Sequence, residues 1–497
     1  MPLTEQQEVA VDRAANTTHH LALQARAGTG KSYTIKQMVK AISRRRRVAV
    51  VAFNKDIAEA MAADLPKHIE SMTAHRMGFR ALKAGRQQWN LKPDSNRLRT
   101  VVRGVVPGVA PRGVYGGVAK LTSASMNHLA RDTESVTKVL TRYGVLPHAG
   151  FTKEQYVEWT LKTLQVLEGP TNDITYDEMI YLPVVEGIRA GNYDDVFYDE
   201  AQDGNPVIRS LILSAIKPGG RLVVVYDDRQ CIYQFRGADV DEVNTLVHET
   251  LRAEVLPLTV TFRCPRRVVE IAKGIVGDYE ACEEAPEGEV TWVDEEESYS
   301  LIAPGHVVIA RSNYALTRMC LNLLKRGVRA RVVGREYIDK FTAILDAFPG
   351  TSLNKFYDWV TPYRKTEGER LTAAGMDEQA EELGEIVDAI RELGEGLSSI
   401  DGLRARLNDL FTNDEKADKA VLLSSVHRAK GLQWQDVWVM ESTFRLSSEE
   451  GENLYYVAIT RTLWTPEYAG HLRLIQTPNK KGEYPPSIAK GLLDRED

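Results

Sequence analysis

The sequence predicts an α/β fold with two parallel-sheet cores, and three observations lead to that prediction. Residues 21–24, 48–53 and 222–226 form short, uninterrupted apolar runs, which are typical of parallel strands covered on both faces. Several such runs end in glycine-rich or acidic segments, so chemistry is expected at the carboxyl edge of a sheet. A second set of apolar runs follows after residue 300.

Length and composition exclude several protein classes. A chain of 497 residues exceeds one compact core, so we expect two to four domains. No apolar run approaches the ~20 residues of a membrane span, and the N-terminus lacks the character of a signal peptide. The four cysteines are scattered, which argues against a zinc site, an iron–sulfur site or a disulfide framework. We therefore expect a cytoplasmic protein with no membrane partner, in a bacterial, archaeal or phage-infected host cytosol rather than a nucleus.

Charge is distributed unevenly along the chain. Residues 1–150 contain 24 Lys and Arg against 10 Asp and Glu, although the net charge of the whole chain is −6. A basic N-terminal third could supply phosphate contacts, and a solvated basic surface explains the same excess. The run Arg44-Arg45-Arg46-Arg47 is most simply interpreted as the exposed end of a helix predicted over 31–43.

A phosphate-binding loop of the Walker A type follows the first predicted strand. Its spacing matches the P-loop pattern with alanine in the first position, and its residues are Ala25, Arg26, Ala27, Gly28, Thr29, Gly30, Lys31 and Ser32. The glycines allow backbone N–H groups to approach phosphate oxygens, and Lys31 reaches the β- and γ-phosphates. We therefore expect ATP and Mg²⁺ as ligands, with the Ser32 hydroxyl on the metal.

A Walker B segment, Asp-Glu-Ala-Gln-Asp at 199–203, follows the predicted strand 196–198. Asp199 is the expected second Mg²⁺ ligand, and Glu200 is expected to orient or deprotonate the attacking water. Lys31 and Asp199 must meet at one metal ion although much of the chain separates them. An insertion over 86–171 is therefore predicted.

A second α/β core is predicted from strands at 307–310, 328–333, 421–424 and 437–440. Helical, acidic segments at 378–393 and 403–410 indicate an insert in that core, and the acid-rich stretch 278–297 is expected to be a solvated connection. The predicted domains are a first core (1–85 and 172–255), its insert (86–171), a second core (256–345 and 416–475), its short helical insert (346–415) and a C-terminal tail (476–497).

The order of these motifs resembles that of the UvrD/Rep-like branch of superfamily 1 helicases. Several segments are most similar in sequence to the F-box DNA helicase type within that branch. The resemblance runs from Leu3 to about Thr462 and rests on motifs quoted from this sequence: TEQQ at 4–7, VAFNK at 51–55, TAH at 73–75, YDDRQCIYQFRGA at 226–238, TFR at 261–263, SVHRAKGLQ at 425–433 and LYYVAITR at 454–461. It implies two RecA-like P-loop cores, each interrupted by a mostly helical insert.

The resemblance implies roles for residues at the nucleotide. Gln7 pairs with the adenine edge, Tyr33 and Phe262 sandwich the base, Gln230 senses the γ-phosphate or the attacking water, and Arg263 and Arg461 are arginine fingers. The expected ATP-binding residues are Gln7, Ala27, Gly28, Thr29, Gly30, Lys31, Ser32, Tyr33 and Phe262. The expected catalytic residues are Lys31, Asp199, Glu200, Gln230, Arg263 and Arg461.

The resemblance also implies a track for single-stranded DNA. Its expected residues are Phe53, Asn54, Thr73, His75, Tyr233, Phe235, Arg236, His427 and Lys430. For Phe53, packing in the core explains the residue equally well, whereas Tyr233 and Phe235 offer ring faces for base stacking, at ~1–3 kcal/mol per base. Phe235 stands where the family usually has tryptophan, and Gln433 stands where it usually has glutamate.

The function implied is that of an ATP-dependent DNA helicase or translocase on single-stranded DNA. Movement is 3′ to 5′ by family resemblance, ATP hydrolysis between the two cores is coupled to strand separation, and the partners are single-stranded DNA and tailed or forked duplexes. The alternative is a translocase that strips nucleoprotein filaments without unwinding duplex. A P-loop small-molecule kinase is disfavoured by the two distant arginines, and a non-catalytic nucleic-acid-binding protein by the intact site. No protein partner is indicated.

Overall fold

A computed structural model describes residues 2–52, 54–148, 150–232, 240–334, 336–373, 377–412, 420–478 and 482–495. The chain divides into two compact units. The first comprises Met1–Arg26 and Gly30–Leu258, and the second comprises Ala27–Thr29 and Thr259–Asp497. Each unit contains a parallel sheet with helices, so the predicted α/β class is confirmed.

The first unit contains a six-stranded sheet. Its strands and those of a small two-stranded sheet are β1 (Leu21–Ala25), β2 (Val48–Ala52), β3 (Glu70–Thr73), β4 (Lys92–Pro93), β5 (Asp173–Ile174), β6 (Tyr193–Tyr198), β7 (Ile216–Tyr226) and β8 (Glu254–Leu258). The order in the large sheet is β3-β2-β6-β7-β1-β8, and all its pairs are parallel. Strands β4 and β5 pair with each other.

Helices of the first unit cover both faces of the six-stranded sheet, and a further group of helices lies between β4 and β5 in the chain. They are α1 (Glu5–Asn16), α2 (Lys31–Ala41), α3 (Lys55–Asp64), α4 (Ala74–Gly85), α5 (Arg97–Val105), α6 (Arg112–Asn127), α7 (Thr133–Arg142), α8 (Lys153–Leu167), α9 (Tyr176–Val185), α10 (Pro206–Ala215) and α11 (Val240–Asn244). Helices α5–α8 bury Val102, Val118 and Tyr156 in an apolar cluster of their own.

The uninterrupted apolar runs are explained by burial on both sides of the sheet. In β7, Val223 and Val225 belong to one buried cluster, whereas Leu222 and Val224 belong to another. Because successive side chains of a strand point to opposite faces, a strand covered on both faces needs apolar residues at every position.

A buried charged pair interrupts this apolar sheet. Asp195 in β6 accepts hydrogen bonds from Arg221 of β7 and, at 2.6 Å, from Nε of Arg46. Arg221 also donates to the carbonyl oxygen of Thr17 at the end of α1, at 2.8 Å, so the buried charges are paired and bonded as burial demands. Helix α2 ends at Ala41, and Arg46 therefore lies in the turn beyond the helix rather than at its end.

The second unit contains a seven-stranded parallel sheet in the order β11-β17-β16-β12-β15-β13-β14 and a separate β9–β10 pair. These strands are β9 (Val260–Thr261), β10 (Glu280–Ala281), β11 (Glu289–Asp294), β12 (Val307–Ala310), β13 (Ala330–Val333), β14 (Phe411–Thr412), β15 (Val421–Ser425), β16 (Asp436–Met440) and β17 (His471–Gln476).

The helices of the second unit are α12 (Arg266–Lys273), α13 (Glu295–Leu301), α14 (Asn313–Lys325), α15 (Glu336–Ala347), α16 (Leu353–Ala373), α17 (Asp377–Leu393), α18 (Ile400–Leu410), α19 (Val426–Ala429), α20 (Glu449–Ile459) and α21 (Ile488–Leu493). Among the helices of the described residues, none has the length and apolarity needed to cross a membrane.

The expectation of a solvated connection over 278–297 is wrong. This stretch supplies strand β11, which pairs in register with β17 at the edge of the sheet. Val290 and Val293 are buried there, and the indole of Trp292 donates to Ser487 Oγ at 2.8 Å. Acidic residues are abundant in this stretch, so its composition did not indicate a strand. A few buried apolar side chains nevertheless hold this short edge strand in place.

Candidate active site

The parallel order of the first sheet places the predicted catalytic segments at one edge. Strands β6, β7 and β1 are neighbours, and their carboxyl ends lead into Asp199, Asp227 and the phosphate-binding loop. Gly30, in a left-handed conformation with φ 79°, immediately precedes the first residue of α2, Lys31. A residue with a Cβ is strained in that region, so the glycine allows the sharp turn from loop to helix.

Lys31 and Glu200 form an ion pair, with Nζ 3.1 Å from Oε1. Burial acts to lower the pKa of Lys31, but the carboxylates of Glu200, Asp227 and Asp199 outweigh it and the net shift is upward. The lysine therefore stays charged at neutral pH, as contact with phosphate oxygens requires.

Asp199 is almost completely buried, with 3% of its surface exposed. Burial, followed by the neighbouring Glu200 carboxylate, raises the pKa of Asp199 to about 7, against the attraction of Lys31. Its Oδ1 accepts the backbone N–H of Glu200 at 3.0 Å. A divalent cation would favour the ionised form of this carboxyl group.

The residues present fit Mg²⁺. Mg²⁺ usually keeps several waters and takes one or two protein ligands together with substrate phosphates. Ser32, which is exposed, and Asp199 offer such a limited set. In the part of the chain that the structure describes, no group of three or more His, Cys, Asp and Glu could form an all-protein metal cage.

Glu200 is held by a residue that sequence reasoning missed. Its backbone is left-handed, with φ 52°, which is uncommon outside glycine and marks a locally strained position. The buried Gln202 donates from Nε2 to Glu200 Oε2, and its Oε1 accepts the backbone N–H of Asp227 at 3.1 Å. The presence of this glutamine in the Asp-Glu-Ala-Gln-Asp segment is the feature of the sequence that could have indicated that it holds Glu200.

Two further groups connect the segment after β7 to this cluster. Gln230 is buried and donates to Asp227 Oδ2, so Asp227 is a second residue that sequence reasoning missed. The guanidinium of Arg26 lies 2.6 Å from Asp228 Oδ1, which also accepts from Gln24. This ion pair accounts for the arginine within the phosphate-binding loop.

Gln7 packs beside the same loop. Only 2% of its surface is exposed, and its Oε1 accepts the N–H of Thr4 at 3.1 Å as part of a capping box at the start of α1. A Cβ placed on Gly30 would lie 3.1 Å from Gln7 Nε2. Helix capping accounts for part of the hydrogen bonding of this side chain, and its predicted pairing with adenine stays a prediction.

The loop residues Ala27–Thr29 are grouped with the second unit. There the N–H of Ala27 donates to the Tyr456 hydroxyl at 2.9 Å, and its carbonyl oxygen accepts from the Tyr279 hydroxyl at 2.8 Å. The carbonyl oxygen of Gly28 accepts the N–H of Phe262 at 2.9 Å. Sequence reasoning missed both tyrosines, although Tyr456 lies within the quoted LYYVAITR segment.

The second unit brings the two predicted arginine fingers together. Arg263 Nη1 donates to the Thr460 carbonyl oxygen at 3.3 Å, and Arg461 Nε donates to that of Val457 at 2.9 Å. Arg461 is 1% exposed. Burial, and then the positive charge of Arg263, lower the pKa of Arg461 to about 10. Two close guanidinium groups create a positive site suited to phosphoryl oxygens.

Three predicted DNA residues of the first unit that the structure describes, Asn54, Thr73 and His75, lie at helix starts. Asn54 accepts the N–H of Ile57 at 2.9 Å and caps α3, and Thr73 accepts that of Arg76 at 3.2 Å and caps α4. His75 follows in the first turn of α4. Burial lowers the pKa of His75, with Asp177 acting in the opposite direction.

Tyr176 is a further exposed aromatic residue beside His75. The two rings meet edge to face with centroids 6.3 Å apart, and Tyr176 is 59% exposed. A Cβ on Gly78 would lie 2.2 Å from the Met179 carbonyl oxygen, so glycine permits the close packing of α4 and α9. Sequence reasoning missed Tyr176, which is the first residue of α9 and lies outside every motif quoted above.

The remaining predicted DNA residues fall into two groups. His427 lies in the short helix α19 and Lys430 directly follows it, and both are half-buried in the second unit. Four predicted residues lie outside the described part of the chain: Phe53, Tyr233, Phe235 and Arg236.

Family models match both units of the chain. A model described as an AAA domain matches residues 7–236, and one described as the UvrD-like helicase C-terminal domain matches residues 420–463. The chain belongs to the UvrD-like helicases of superfamily 1. The resemblance deduced from motif order is thereby confirmed, and the two parallel-sheet units are the expected RecA-like cores of this family. The finer domain boundaries and the roles of single residues stay predictions.

Relatives with curated names extend this UvrD-like assignment. F-box DNA helicase protein 1 of Schizosaccharomyces pombe is 22% identical over 92% of this chain and 56% of its own length. F-box DNA helicase 1 of Gallus gallus is 22% identical over 92% of this chain and 48% of its own length. ATP-dependent DNA helicase PcrA of Bacillus subtilis is 21% identical over 52% of this chain and 37% of its own length. The chain thus spans about half the length, or less, of these relatives.

Proposed function

We propose that the chain is an ATP-dependent DNA helicase that moves on single-stranded DNA, 3′ to 5′, and separates the strands of tailed or forked duplexes. The observation that carries the proposal is the cluster of Lys31, Asp199, Glu200 and Gln202 at the carboxyl edge of the first sheet. The relatives' names, all of which include DNA helicase, support DNA as the polymer.

The proposed chemistry assigns one task to each residue of the site. Lys31 and the loop N–H groups bind the β- and γ-phosphates. Ser32 and Asp199 would hold Mg²⁺, which supplies charge neutralisation on the phosphates. Glu200, held by Gln202, orients the attacking water and accepts its proton, and Gln230 senses the γ-phosphate. Arg263 and Arg461 stabilise the charge that develops in the transition state.

The proposed DNA surface includes the predicted residues and one addition. We add Tyr176, because its exposed ring is paired with His75 and base–aromatic stacking is independent of sequence. Asn54, Thr73, His427 and Lys430 are proposed to contact the DNA backbone. The stacking roles of Tyr233 and Phe235 and the DNA contacts of Phe53 and Arg236 rest on the motifs alone.

A reducing compartment is part of the proposal. Cys231, Cys264, Cys282 and Cys320 are free and buried, and free thiols are typical of proteins in the cytosol. The cytosol also supplies the ATP and Mg²⁺ that the site would use.

The decisive experiment measures ATP turnover with and without single-stranded DNA, followed by unwinding of 3′-tailed and 5′-tailed duplexes. We expect turnover to rise at least tenfold with single-stranded DNA and unwinding to need the 3′ tail. Stimulated turnover without unwinding would instead indicate a translocase that strips nucleoprotein filaments. Turnover indifferent to DNA would overturn the proposal.

A further inference from the structure

One connection in the second unit leads from Arg461 to the amino edge of the sheet. Strands β16 and β17 are parallel neighbours, and Asp436, the first residue of β16, is paired with His471, the first residue of β17. Helix α20 lies between them in the chain, so the connection must return from the carboxyl edge to the amino edge. Arg461 follows the end of α20. We call residues 462–470, which continue from it to β17, the crossover loop.

Main-chain hydrogen bonds surround the start of the crossover loop. The N–H of Trp464 donates to the carbonyl oxygen of Arg263 at 3.0 Å. The N–H of Trp434 donates to the carbonyl oxygen of Arg461, also at 3.0 Å, and its own carbonyl oxygen accepts the N–H of Leu463 at 2.8 Å. The loop is therefore bonded directly to the backbone of one proposed arginine finger and follows the other in the chain.

Tyr468 attaches the crossover loop to the sheet. Its hydroxyl lies 2.9 Å from both carboxylate oxygens of Asp436. Its N–H and carbonyl oxygen are bonded to the carbonyl oxygen and N–H of Thr465, at 3.0 and 2.8 Å, so residues 465–468 form a closed turn. Gln435 Nε2 adds a bond to Thr465 Oγ1 at 3.2 Å. Trp464, which directly precedes this turn, is thereby linked to β16.

The carboxylate that receives this hydroxyl is itself firmly held. Arg473 Nη1 donates to Asp436 Oδ1 at 2.7 Å. Burial acts to raise the pKa of Asp436, but the hydrogen bonds from Arg473 and Tyr468 outweigh it and the net shift is downward. Burial, and then the bond to this carboxylate, raise the pKa of Tyr468 to about 12. The tyrosine therefore keeps its proton and donates it to an ionised acceptor, which makes a strong hydrogen bond.

We infer that Tyr468 is a positioning residue for Arg263, acting through its bond to Asp436 and through the crossover loop. The inference rests on the proposed function, which assigns transition-state stabilisation to Arg263. A guanidinium group can do this only if it is placed accurately, since a misplacement of about 1 Å can cost ~10²-fold in rate.

A matched tyrosine in the same unit lacks this connection to the fingers. The hydroxyl of Tyr299 donates to Glu295 Oε1 at 2.9 Å, and its ring lies in α13. Both tyrosines therefore donate to a carboxylate, but the hydrogen bonds of Tyr299 involve Glu295 and Asn322, whereas Tyr468 closes a turn next to the residue that bonds Arg263. Tyr299→Phe is accordingly the control for the general effect of losing such a bond.

The test compares Tyr468→Phe with Tyr299→Phe, each in the wild-type chain and in Arg263→Ala. Phenylalanine keeps the ring of Tyr468, which packs against His471 with centroids 4.9 Å apart, and removes the hydroxyl alone. ATP turnover at varied ATP concentration, with saturating oligo(dT) and without DNA, gives kcat and KM. Fluorescence anisotropy with oligo(dT) gives DNA affinity, and melting temperatures report stability.

Tyr468→Phe is expected to lower kcat by about fivefold or more, whereas the KM for ATP and the affinity for oligo(dT) stay unchanged, because the interaction is made in the transition state. In Arg263→Ala the same change should lower kcat by less than about twofold, since residues that act as a unit are not additive. Tyr299→Phe should leave kcat unchanged in both backgrounds, even if its melting temperature falls.

Four results would overturn the inference. They are an unchanged kcat in Tyr468→Phe, an equal loss of kcat in Tyr299→Phe, a loss that is as large in Arg263→Ala as in the wild-type chain, and a change confined to KM or to DNA affinity. A lower melting temperature of Tyr468→Phe with normal kcat belongs to the first of these, because the bond would then serve stability alone.

These outcomes are distinct from failure of the proposed function. If single strands do not stimulate ATP turnover, the helicase proposal fails, whereas basal turnover of the same four variants still tests Tyr468. If DNA stimulates turnover and duplexes are unwound but Tyr468→Phe has a normal kcat, only the inference about Tyr468 fails.

Discussion

Lys31 Nζ lies 3.1 Å from Glu200 Oε1. This contact joins the cation expected on the ATP phosphates to the carboxylate expected to act on water, so each side chain holds the other in the site. Substitution of each residue tests a different role, because the lysine is expected to bind phosphate and the glutamate to promote hydrolysis.

Glu200→Gln is expected to lower ATP turnover by about 10²–10⁴-fold, since an amide cannot accept the proton of the attacking water. ATP binding should survive, because Lys31 and the loop stay in place. Turnover in saturating single-stranded DNA and binding of a fluorescent ATP analogue measure the two effects. Glu134→Gln, on the exposed face of α7, is the control and should behave as wild type. Near-normal turnover of Glu200→Gln would contradict the assignment.

Asp199→Asn tests the raised pKa of the buried carboxyl group. The pKa of Asp199 is about 7 in the folded protein and near 4 in the unfolded protein. Between about pH 4 and pH 7 the folded state therefore retains a proton that the unfolded state has released. The contribution of this group to the free energy of unfolding therefore falls as pH rises from about 4 to 7. Above that interval the contribution no longer changes with pH.

Without Mg²⁺, the melting temperature of Asp199→Asn should thus rise relative to that of the wild type as pH increases across this interval. Saturating Mg²⁺ with ATP should stabilise the wild type more at pH 8 than at pH 6, whereas the stabilisation of the variant should change little between these pH values. Parallel melting curves of the two proteins at every pH would show that Asp199 does not titrate as described.

Arg263→Ala is expected to lower turnover by about 10³-fold while DNA affinity stays nearly constant, as for the loss of an arginine finger. Arg461→Ala should lower turnover similarly and also lower the melting temperature, because its buried guanidinium bonds the Val457 carbonyl oxygen. Arg326→Ala, an exposed arginine of the same unit paired with Glu296, is the control. Impaired DNA binding with normal turnover would show that Arg263 and Arg461 contact DNA rather than the nucleotide.

Tyr176→Ala should weaken single-stranded DNA binding by about 5- to 150-fold, because one base–aromatic stack is worth ~1–3 kcal/mol. The melting temperature should hardly change, since the ring is mostly exposed. Tyr484→Ala removes another exposed tyrosine, in the second unit, and should leave the affinity unchanged. Anisotropy with oligo(dT) measures both. If the affinity for oligo(dT) weakens equally in the two variants, or does not weaken in Tyr176→Ala, Tyr176 is not part of the proposed DNA surface.

Much of the fold and part of the site could be predicted from local sequence. The buried strands are visible because each face of a covered sheet needs apolar residues, as Val223 and Val224 show by packing into different clusters. Lys31, Asp199 and Glu200 are recognisable because phosphate and metal chemistry needs those residue types at strand ends. Parallel strands bring such ends to one edge, so their proximity also follows from the sequence pattern.

Tertiary structure alone decided which residues support that chemistry. Gln202 holds Glu200 and reaches Asp227, Arg46 neutralises Asp195 from 149 positions away, and Tyr176 joins His75 through the packing of α4 and α9. The acid-rich stretch before α13 became an edge strand because β17 offered a pairing partner. These contacts join residues that are distant in the chain, and local composition carries no information about the partner that packing will supply.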